Sequence, residues 1–139
     1  MKRILAPVFT IIIALSSCSG NKTESQTTET VSTQAAVVNL SPQKFLEKSP
    51  NGVIIDVRTP AEIAQGKIAG SVAMDYYQPD FWNKVQEYPK DKEIYLYCAV
   101  GARSEDAAQK LIQQGYTKVY HLQGGIQAWY QNGLPISQE

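Results

Sequence analysis

The chain has 139 residues, which is enough for one small domain. Its 13 basic and 13 acidic residues balance, and no basic run follows the first three positions, so the charge pattern does not indicate nucleic-acid binding. A single histidine and two cysteines exclude the His and Cys clusters of a zinc site, and no metal is expected.

The amino terminus has the pattern of a secretory signal. A basic start is followed by a mainly apolar stretch at residues 4–15, which is too short for a mature membrane span, and by small residues before Cys18. The position of this cysteine resembles the lipobox of bacterial lipoproteins. That resemblance implies a signal peptide at residues 1–17 and a lipid on the sulfur of Cys18. An ordinary signal peptide with an incidental cysteine is the alternative.

Residues 18–36 are expected to form a flexible tether. They are rich in Ser, Thr, Asn and Gln and hold almost no large apolar side chain, so they cannot offset the entropy of ordering. The folded domain is therefore expected at residues 37–136. Because Ser19 is not the acidic retention signal of some bacteria, the expected location is the cell envelope, on the periplasmic side of the outer membrane.

Strand patterns alternate with helix patterns along this domain. The predicted strands are residues 36–40, 53–57, 71–74, 93–97 and 118–122. The predicted helices begin at Ser41 and Thr59 and then cover residues 80–87, 104–114 and 126–131. Thr59 and Glu62 form a capping box around a first-turn proline. The alternation predicts an α/β sandwich with a mostly parallel sheet.

Cys98 stands between an apolar strand pattern and an amphipathic helix pattern. Backbone N–H groups in such a loop, together with the positive end of the helix, favour a thiolate over a thiol. The strand before it is central by its apolarity, and ligands of parallel sheets bind beyond the carboxyl ends of the strands. The loop that starts at Cys98 is therefore the expected functional site.

Four sequence segments resemble the rhodanese-like domain, in the order of that family. They are IIDVRTPAE at 54–62, GKIAGS at 66–71, YCAVGARS at 97–104 and LQGGIQAW at 122–129. Together they extend over about residues 37–134. The resemblance implies a three-layer α/β/α sandwich with a mostly parallel five-stranded sheet, and it implies a sulfurtransferase that needs no cofactor.

The catalytic cysteine of the family falls on Cys98. The resemblance implies that Cys98 takes a sulfane sulfur from a donor such as thiosulfate, becomes a persulfide, and passes the sulfur to cyanide or a thiol. This is nucleophilic covalent catalysis in two half-reactions. The loop residues expected to bind the anion are Ala99, Val100, Gly101, Ala102, Arg103 and Ser104.

The length of the loop distinguishes two branches of this fold. Four residues separate Cys98 from Arg103, whereas the related dual-specificity phosphatases use a loop one residue longer and place histidine before the cysteine. Here Tyr97 precedes the cysteine. Because a phosphoryl group needs a wider cradle than one sulfur atom, the short loop favours sulfur chemistry.

Arg103 has two interpretations. It can attract an anionic donor through charge and paired N–H groups, which is the favoured one, or it can form a structural pair with Glu105 or Asp106. Those two carboxylates suit the first turn of a helix, and they would oppose a low pKa of Cys98 if they faced the loop.

Other polar residues favour structural roles. Lys67 replaces a histidine of many rhodaneses; it could assist anionic substrates, but a solvated surface lysine is favoured. Asp56 and Arg58 are expected to form an ion pair that fixes the end of a strand. His121 is expected to be packed or hydrogen-bonded rather than to act as a catalytic base.

Three classes of function remain open on the sequence. The first is an envelope sulfurtransferase, and the second is a binding module, which the presence of both Cys98 and Arg103 disfavours. The third is a persulfide or redox carrier that docks on another envelope protein. If Cys18 is acylated, Cys98 is the single free thiol, which disfavours an intramolecular disulfide oxidoreductase.

Overall fold

The computed structural model describes residues 35–139. The predicted signal peptide at residues 1–17, Cys18 and the predicted tether as far as residue 34 lie outside the described residues. Within residues 35–139, no helix has the length and apolar character needed to cross a membrane.

Strands and helices alternate along the described residues. The strands are β1 (Val38–Leu40), β2 (Val53–Asp56), β3 (Val72–Ala73), β4 (Ile94–Tyr97) and β5 (Val119–Leu122). The helices are α1 (Pro42–Lys48), α2 (Pro60–Ile63), α3 (Phe81–Gln86), α4 (Ala102–Gln113) and α5 (Gly125–Gln131), with a 3-10 turn at Ser49–Asn51. Every predicted strand and helix is present, most with boundaries shifted by one or two residues.

The five strands form one sheet in the order β1-β5-β4-β2-β3. All pairings between neighbouring strands are parallel, so the predicted parallel character of the sheet is confirmed. The central strand is β4, and all four of its residues are buried. Because the strands are parallel, the carboxyl ends of β2, β4 and β5 lie at one edge, and Cys98 follows directly from β4 at that edge.

Two apolar cores lie on opposite faces of the sheet. Alternation along β4 directs Ile94 and Leu96 to the face covered by α3 and α4, and it directs Tyr95 and Tyr97 to the face covered by α1 and α5. Burial of each large apolar side chain contributes about 1.5–3 kcal/mol. The two cores make the predicted three-layer α/β/α sandwich.

The start of α4 differs from the sequence prediction. The helix was expected to begin at residue 104, but it begins at Ala102. Gly101 adopts a φ of 108°, a conformation that favours glycine, and its carbonyl accepts the first helical hydrogen bond from the N–H of Glu105 at 2.9 Å. As a result, Arg103 and Ser104 lie in the first helical turn, and their side chains are directed by the helix.

Candidate active site

The sulfur of Cys98 is surrounded by hydrogen-bond donors. Its Sγ accepts the backbone N–H of Gly101 at 3.1 Å and lies 3.6 Å from the Oγ of Ser104. Burial raises the pKa of the Cys98 thiol, but the Ser104 hydroxyl and the N–H groups of Ser104, Gly101 and Val100 outweigh it, so the pKa lies below its ordinary value. The site therefore favours a thiolate, which is the nucleophilic form of cysteine.

Helix α5 holds the active loop in this shape. The N–H groups of Ile126 and Gln127 donate to the carbonyl oxygens of Cys98 and Ala99 at 2.8 and 3.0 Å. Gly125 allows this close approach, because a Cβ at that position would lie 2.5 Å from the Cys98 carbonyl oxygen. Gly125 therefore packs closely against the active loop.

We expect Gly125→Ala to disturb the loop as well as the stability of the fold. Gly133 is a matched control, since its φ of 66° is close to the 61° of Gly125 and nothing lies within 4 Å of a Cβ built there. Gly133→Ala should lower the free energy of unfolding by about 1–2 kcal/mol. Gly125→Ala should cost more and should slow alkylation of Cys98 by iodoacetamide. Equal losses of stability and unchanged alkylation in both variants would contradict the contact.

Arg103 forms a two-pronged ion pair with Glu62. Its Nη2 lies 2.5 Å from Oε1 and its Nη1 lies 2.9 Å from Oε2. The guanidinium carbon also lies 5.6 Å from the centre of the Tyr77 ring. The ion pair ties the first turn of α4 to α2 across 41 positions of sequence. Two of the five N–H donors of Arg103 are used on Glu62, and three remain.

The structural alternative for Arg103, an ion pair, is present but with a different carboxylate from those named on the sequence. Glu105 or Asp106 was named for this pair, but Asp106 pairs with Lys110 at 2.8 Å, one helical turn further along α4, and Glu105 is exposed. Glu105 is two positions from Arg103, so these side chains point in different directions, and Asp106, three positions away, pairs with Lys110 instead. The carboxylate that pairs with Arg103 belongs instead to Glu62. The capping box expected for Glu62 at the start of α2 is present as well.

We expect Glu62→Gln to change how stability depends on pH. The Arg103 guanidinium lowers the pKa of Glu62 to about 2, against partial burial that raises it. Because this pKa lies below the unfolded value of about 4.3, the pair stabilises the fold above that pH, and its contribution is lost as the pH falls toward 2. Glutamine retains the capping box, so the variant isolates the charge.

The measurement is urea unfolding of Glu62→Gln and wild type at pH 7, 5 and 3. We expect a loss of about 1 kcal/mol at pH 7, because the pair is partly exposed, and a smaller difference at pH 3. Glu47→Gln is the control, since the Lys44–Glu47 pair lies on the surface with side chains 59% and 63% exposed. A difference that is constant over this pH range would rule out the ion pair as its source.

Asp56 and Arg58 form the buried ion pair that the sequence predicts. The Arg58 Nη2 lies 2.6 Å from Oδ2 of Asp56, and both side chains are almost fully buried. Arg58 also donates to the carbonyl oxygens of Glu62 and Gly66 at 3.2 and 2.8 Å. This network fixes the end of β2 to α2 and the turn that follows α2.

Lys67 is not brought to the loop. A cavity of about 250 Å³ lies beside the loop and is lined by Arg58, Glu62, Gln65, Ala99, Val100, Ile126, Gln127 and Tyr130. The backbone of Lys67 instead pairs with Ser137 in an antiparallel bridge, with N···O distances of 2.9 and 2.8 Å. Lys67 is half-buried at this bridge rather than fully solvated, and it does not line the cavity.

A contact of His121 with the loop was not foreseen. Its Nδ1 lies 3.1 Å from the Oγ of Ser104, the same hydroxyl that faces the Cys98 sulfur. The contact arises because β5 lies beside β4 and under α4. The sequence signal was a polar residue within an apolar strand, which indicated a hydrogen bond but could not identify its partner.

Comparisons with known proteins agree with this geometry. The profile of the rhodanese-like domain matches residues 41–132. A sulfurtransferase of Allochromatium vinosum is 45% identical over 84 residues, which cover 60% of this chain and 77% of that protein. The thiosulfate sulfurtransferase GlpE of Stutzerimonas stutzeri is 35% identical over 88 residues, which cover 63% of this chain and 78% of that protein.

Other relatives carry a similar domain within a longer chain. A tRNA uridine(34) hydroxylase of Synechocystis is 36% identical over 93 residues, and the match covers 63% of this chain but 34% of that enzyme. Among solved structures, a rhodanese-related protein from Thermoplasma volcanium has a TM-score of 0.65 and 30% identity, and the match covers 73% of this chain and 99% of that one. The fold, the loop around Cys98 and the match over residues 41–132 make this chain a member of the rhodanese-like domain family.

Proposed function

We propose that this chain is a sulfurtransferase in which Cys98 carries a sulfane sulfur, as a persulfide, from a thiosulfate-like donor to a thiophilic acceptor. The observation that carries the proposal is the environment of the Cys98 sulfur, which contacts the N–H group of Gly101 and the hydroxyl of Ser104. These groups stabilise an anion at the sulfur without a separate base. Relatives named as sulfurtransferases support the same reaction class.

In the first half-reaction the Cys98 thiolate attacks the outer sulfur of thiosulfate. A new S–S bond forms at Sγ, while the bond between the two sulfur atoms of thiosulfate breaks and its electron pair leaves with sulfite. The product is a persulfide whose terminal sulfur carries the negative charge. Inward-facing N–H groups that stabilise the thiolate can then stabilise this terminal anion.

In the second half-reaction an acceptor removes the outer sulfur. Cyanide attacks that sulfur, a C–S bond forms, and the S–S bond breaks so that its electron pair returns to Sγ of Cys98. The products are thiocyanate and the original thiolate. A thiolate acceptor reacts in the same way and leaves as a persulfide. The proposal therefore predicts ping-pong kinetics.

The burial of the site favours donors with a protruding sulfur atom. Cys98 is 1% exposed, so a donor must deliver a terminal sulfur into the loop rather than lie across it. Thiosulfate meets this requirement, since its sulfane sulfur extends from the sulfonate. The N–H donors of Arg103 that do not contact Glu62 can then bind the sulfonate oxygens outside the loop.

The test is mass spectrometry combined with turnover. Protein incubated with thiosulfate should gain about 32 Da on Cys98, one sulfur atom, and addition of cyanide should remove this mass and release thiocyanate. Aryl phosphate is the comparison substrate and should not be cleaved. Absence of both the adduct and thiocyanate from folded, reduced protein would contradict the proposal.

A carrier that docks on a partner protein is the second candidate. Two large side chains near the loop are strongly exposed, Val100 at 60% and Tyr77 at 68%, and they could contact a protein acceptor. A carrier should accept sulfur from a protein persulfide much faster than from thiosulfate. Comparable rates from small donors would favour the sulfurtransferase.

We also propose that the chain is anchored in the cell envelope through a lipid on Cys18, after removal of residues 1–17. The basic start, the apolar stretch and the small residues before Cys18 support this location. Fractionation of cells that express the wild type and Cys18→Ser tests it. The wild type should be found with membranes, whereas the variant should not carry the lipid.

A further inference from the structure

The hydroxyl of Ser104 has one proton and three polar neighbours. Its Oγ lies 3.6 Å from Sγ of Cys98, 3.0 Å from the carbonyl oxygen of Gly101 and 3.1 Å from Nδ1 of His121. A serine hydroxyl can donate one hydrogen bond and accept others. The direction in which Ser104 donates therefore decides whether it stabilises the thiolate.

Two of the three neighbours can only accept. The Gly101 carbonyl already accepts the N–H of Glu105 at 2.9 Å, so it does not depend on the serine proton. The Cys98 thiolate has no proton to give. His121 differs from both, because its Nδ1 can either carry a proton and donate or be bare and accept.

We propose that His121 is a positioning residue, which donates from Nδ1 to the oxygen of Ser104 and so commits the serine proton to the Cys98 sulfur. In this hydrogen-bond relay, Nδ1–H of His121 donates to Oγ of Ser104, and Oγ–H of Ser104 donates to the thiolate of Cys98. If Nδ1 were bare, it would compete with the sulfur for the same proton. The inference deepens the proposed function, since it rests on Cys98 acting as the sulfur-carrying nucleophile.

The surroundings of His121 are consistent with a neutral, ordered ring. The side chain is 3% exposed, and burial lowers its pKa, while the charge of Glu105 on α4 raises it. Its register neighbours on β1 and β4 are Asn39 and Leu96, which carry no charge. The ionisable groups on its facing elements are thus Glu105 and, through Ser104, Cys98.

The test measures the thiol pKa of Cys98 from the pH dependence of alkylation by iodoacetamide, in the full chain carrying Cys18→Ser. Ser104→Ala should raise this pKa by about one unit, and His121→Leu by about half a unit, which corresponds to roughly threefold less thiolate at any pH below the pKa. His121→Leu should add nothing in the Ser104→Ala background. His121→Asn, whose amide N–H can replace Nδ1–H, should restore most of the wild-type profile.

Tyr116→Phe is the matched structural control. It removes a buried hydroxyl that donates to the carbonyl oxygen of Val85 at 2.9 Å, on α3 and away from the loop. It should lower the thermal midpoint and leave the alkylation profile unchanged. An unchanged pKa in His121→Leu, or a shift that persists in the Ser104→Ala background, would overturn the relay.

A second readout needs no variant of His121. The chain contains a single histidine, so an untagged protein labelled with ¹⁵N gives one pair of imidazole nitrogen signals. When Cys98 is a thiolate, Nδ1 should be protonated, and this preference should weaken in Ser104→Ala; a bare Nδ1 in the thiolate state would contradict the relay. Both readouts are independent of sulfur transfer, so a wild type that shows the coupling but forms no persulfide would refute the proposed function alone.

Discussion

Cys98→Ser is expected to reduce thiocyanate production from thiosulfate and cyanide by roughly 10³-fold or more, which corresponds to about 4 kcal/mol of activation free energy. Serine preserves the size of the side chain, but its hydroxyl is not ionised near neutral pH. The site that surrounds Sγ supplies N–H and hydroxyl donors, which stabilise an anion but do not take up a proton. The measurement is steady-state turnover at saturating donor.

Cys18→Ser is the matched control for this experiment, because it removes the other cysteine of the chain. It should retain the turnover of the wild type in purified protein. Thermal unfolding and circular dichroism establish that Cys98→Ser is folded. Substantial turnover by folded Cys98→Ser would refute the role of Cys98 as sulfur carrier.

Arg58→Met is expected to destabilise the domain by about 3–5 kcal/mol. The substitution leaves the carboxylate of Asp56 buried without its guanidinium partner, and it removes the donors to the carbonyl oxygens of Glu62 and Gly66. A buried charge that loses its partner costs far more free energy than a surface charge. Urea unfolding at pH 7 gives the change directly.

Two comparisons make this experiment specific. Lys44→Met removes one partner of an exposed ion pair and should have a much smaller effect. The double variant Asp56→Asn/Arg58→Met removes both buried charges and should be less destabilised than Arg58→Met alone. If Arg58→Met and Lys44→Met lose similar stability, the buried pair does not have the predicted importance.

Features encoded by adjacent residues were predictable from the chain. The capping box of Thr59 and Glu62 depends on residues three positions apart, and both of its hydrogen bonds are present. The pair of Asp56 and Arg58 is also local, because alternate residues at a strand end reach each other. The apolarity of residues 94–97 predicted a central strand, since a strand covered on both faces has no polar side.

Features that join distant segments were not predictable in the same way. Arg103 pairs with Glu62, which is 41 positions away in sequence, and Ser104 contacts His121, which is 17 positions away. Neither pairing follows from local spacing, so the structural alternative considered for Arg103 named only the nearby carboxylates Glu105 and Asp106. The helix start at Ala102 was also missed, because the conformation of Gly101 depends on the loop packed against α5.

The sequence by itself thus determined the alternation of strands and helices, the position of Cys98 after the central strand and the local caps and ion pair. Periodicity and short-range hydrogen bonding are properties of a few consecutive residues, so they can be read without the fold. Only the tertiary structure decided which side chains surround the sulfur and which carboxylate holds Arg103. Those contacts depend on the order β1-β5-β4-β2-β3 and on the packing of α4 and α5 over one edge of the sheet, which bring together residues far apart in the chain.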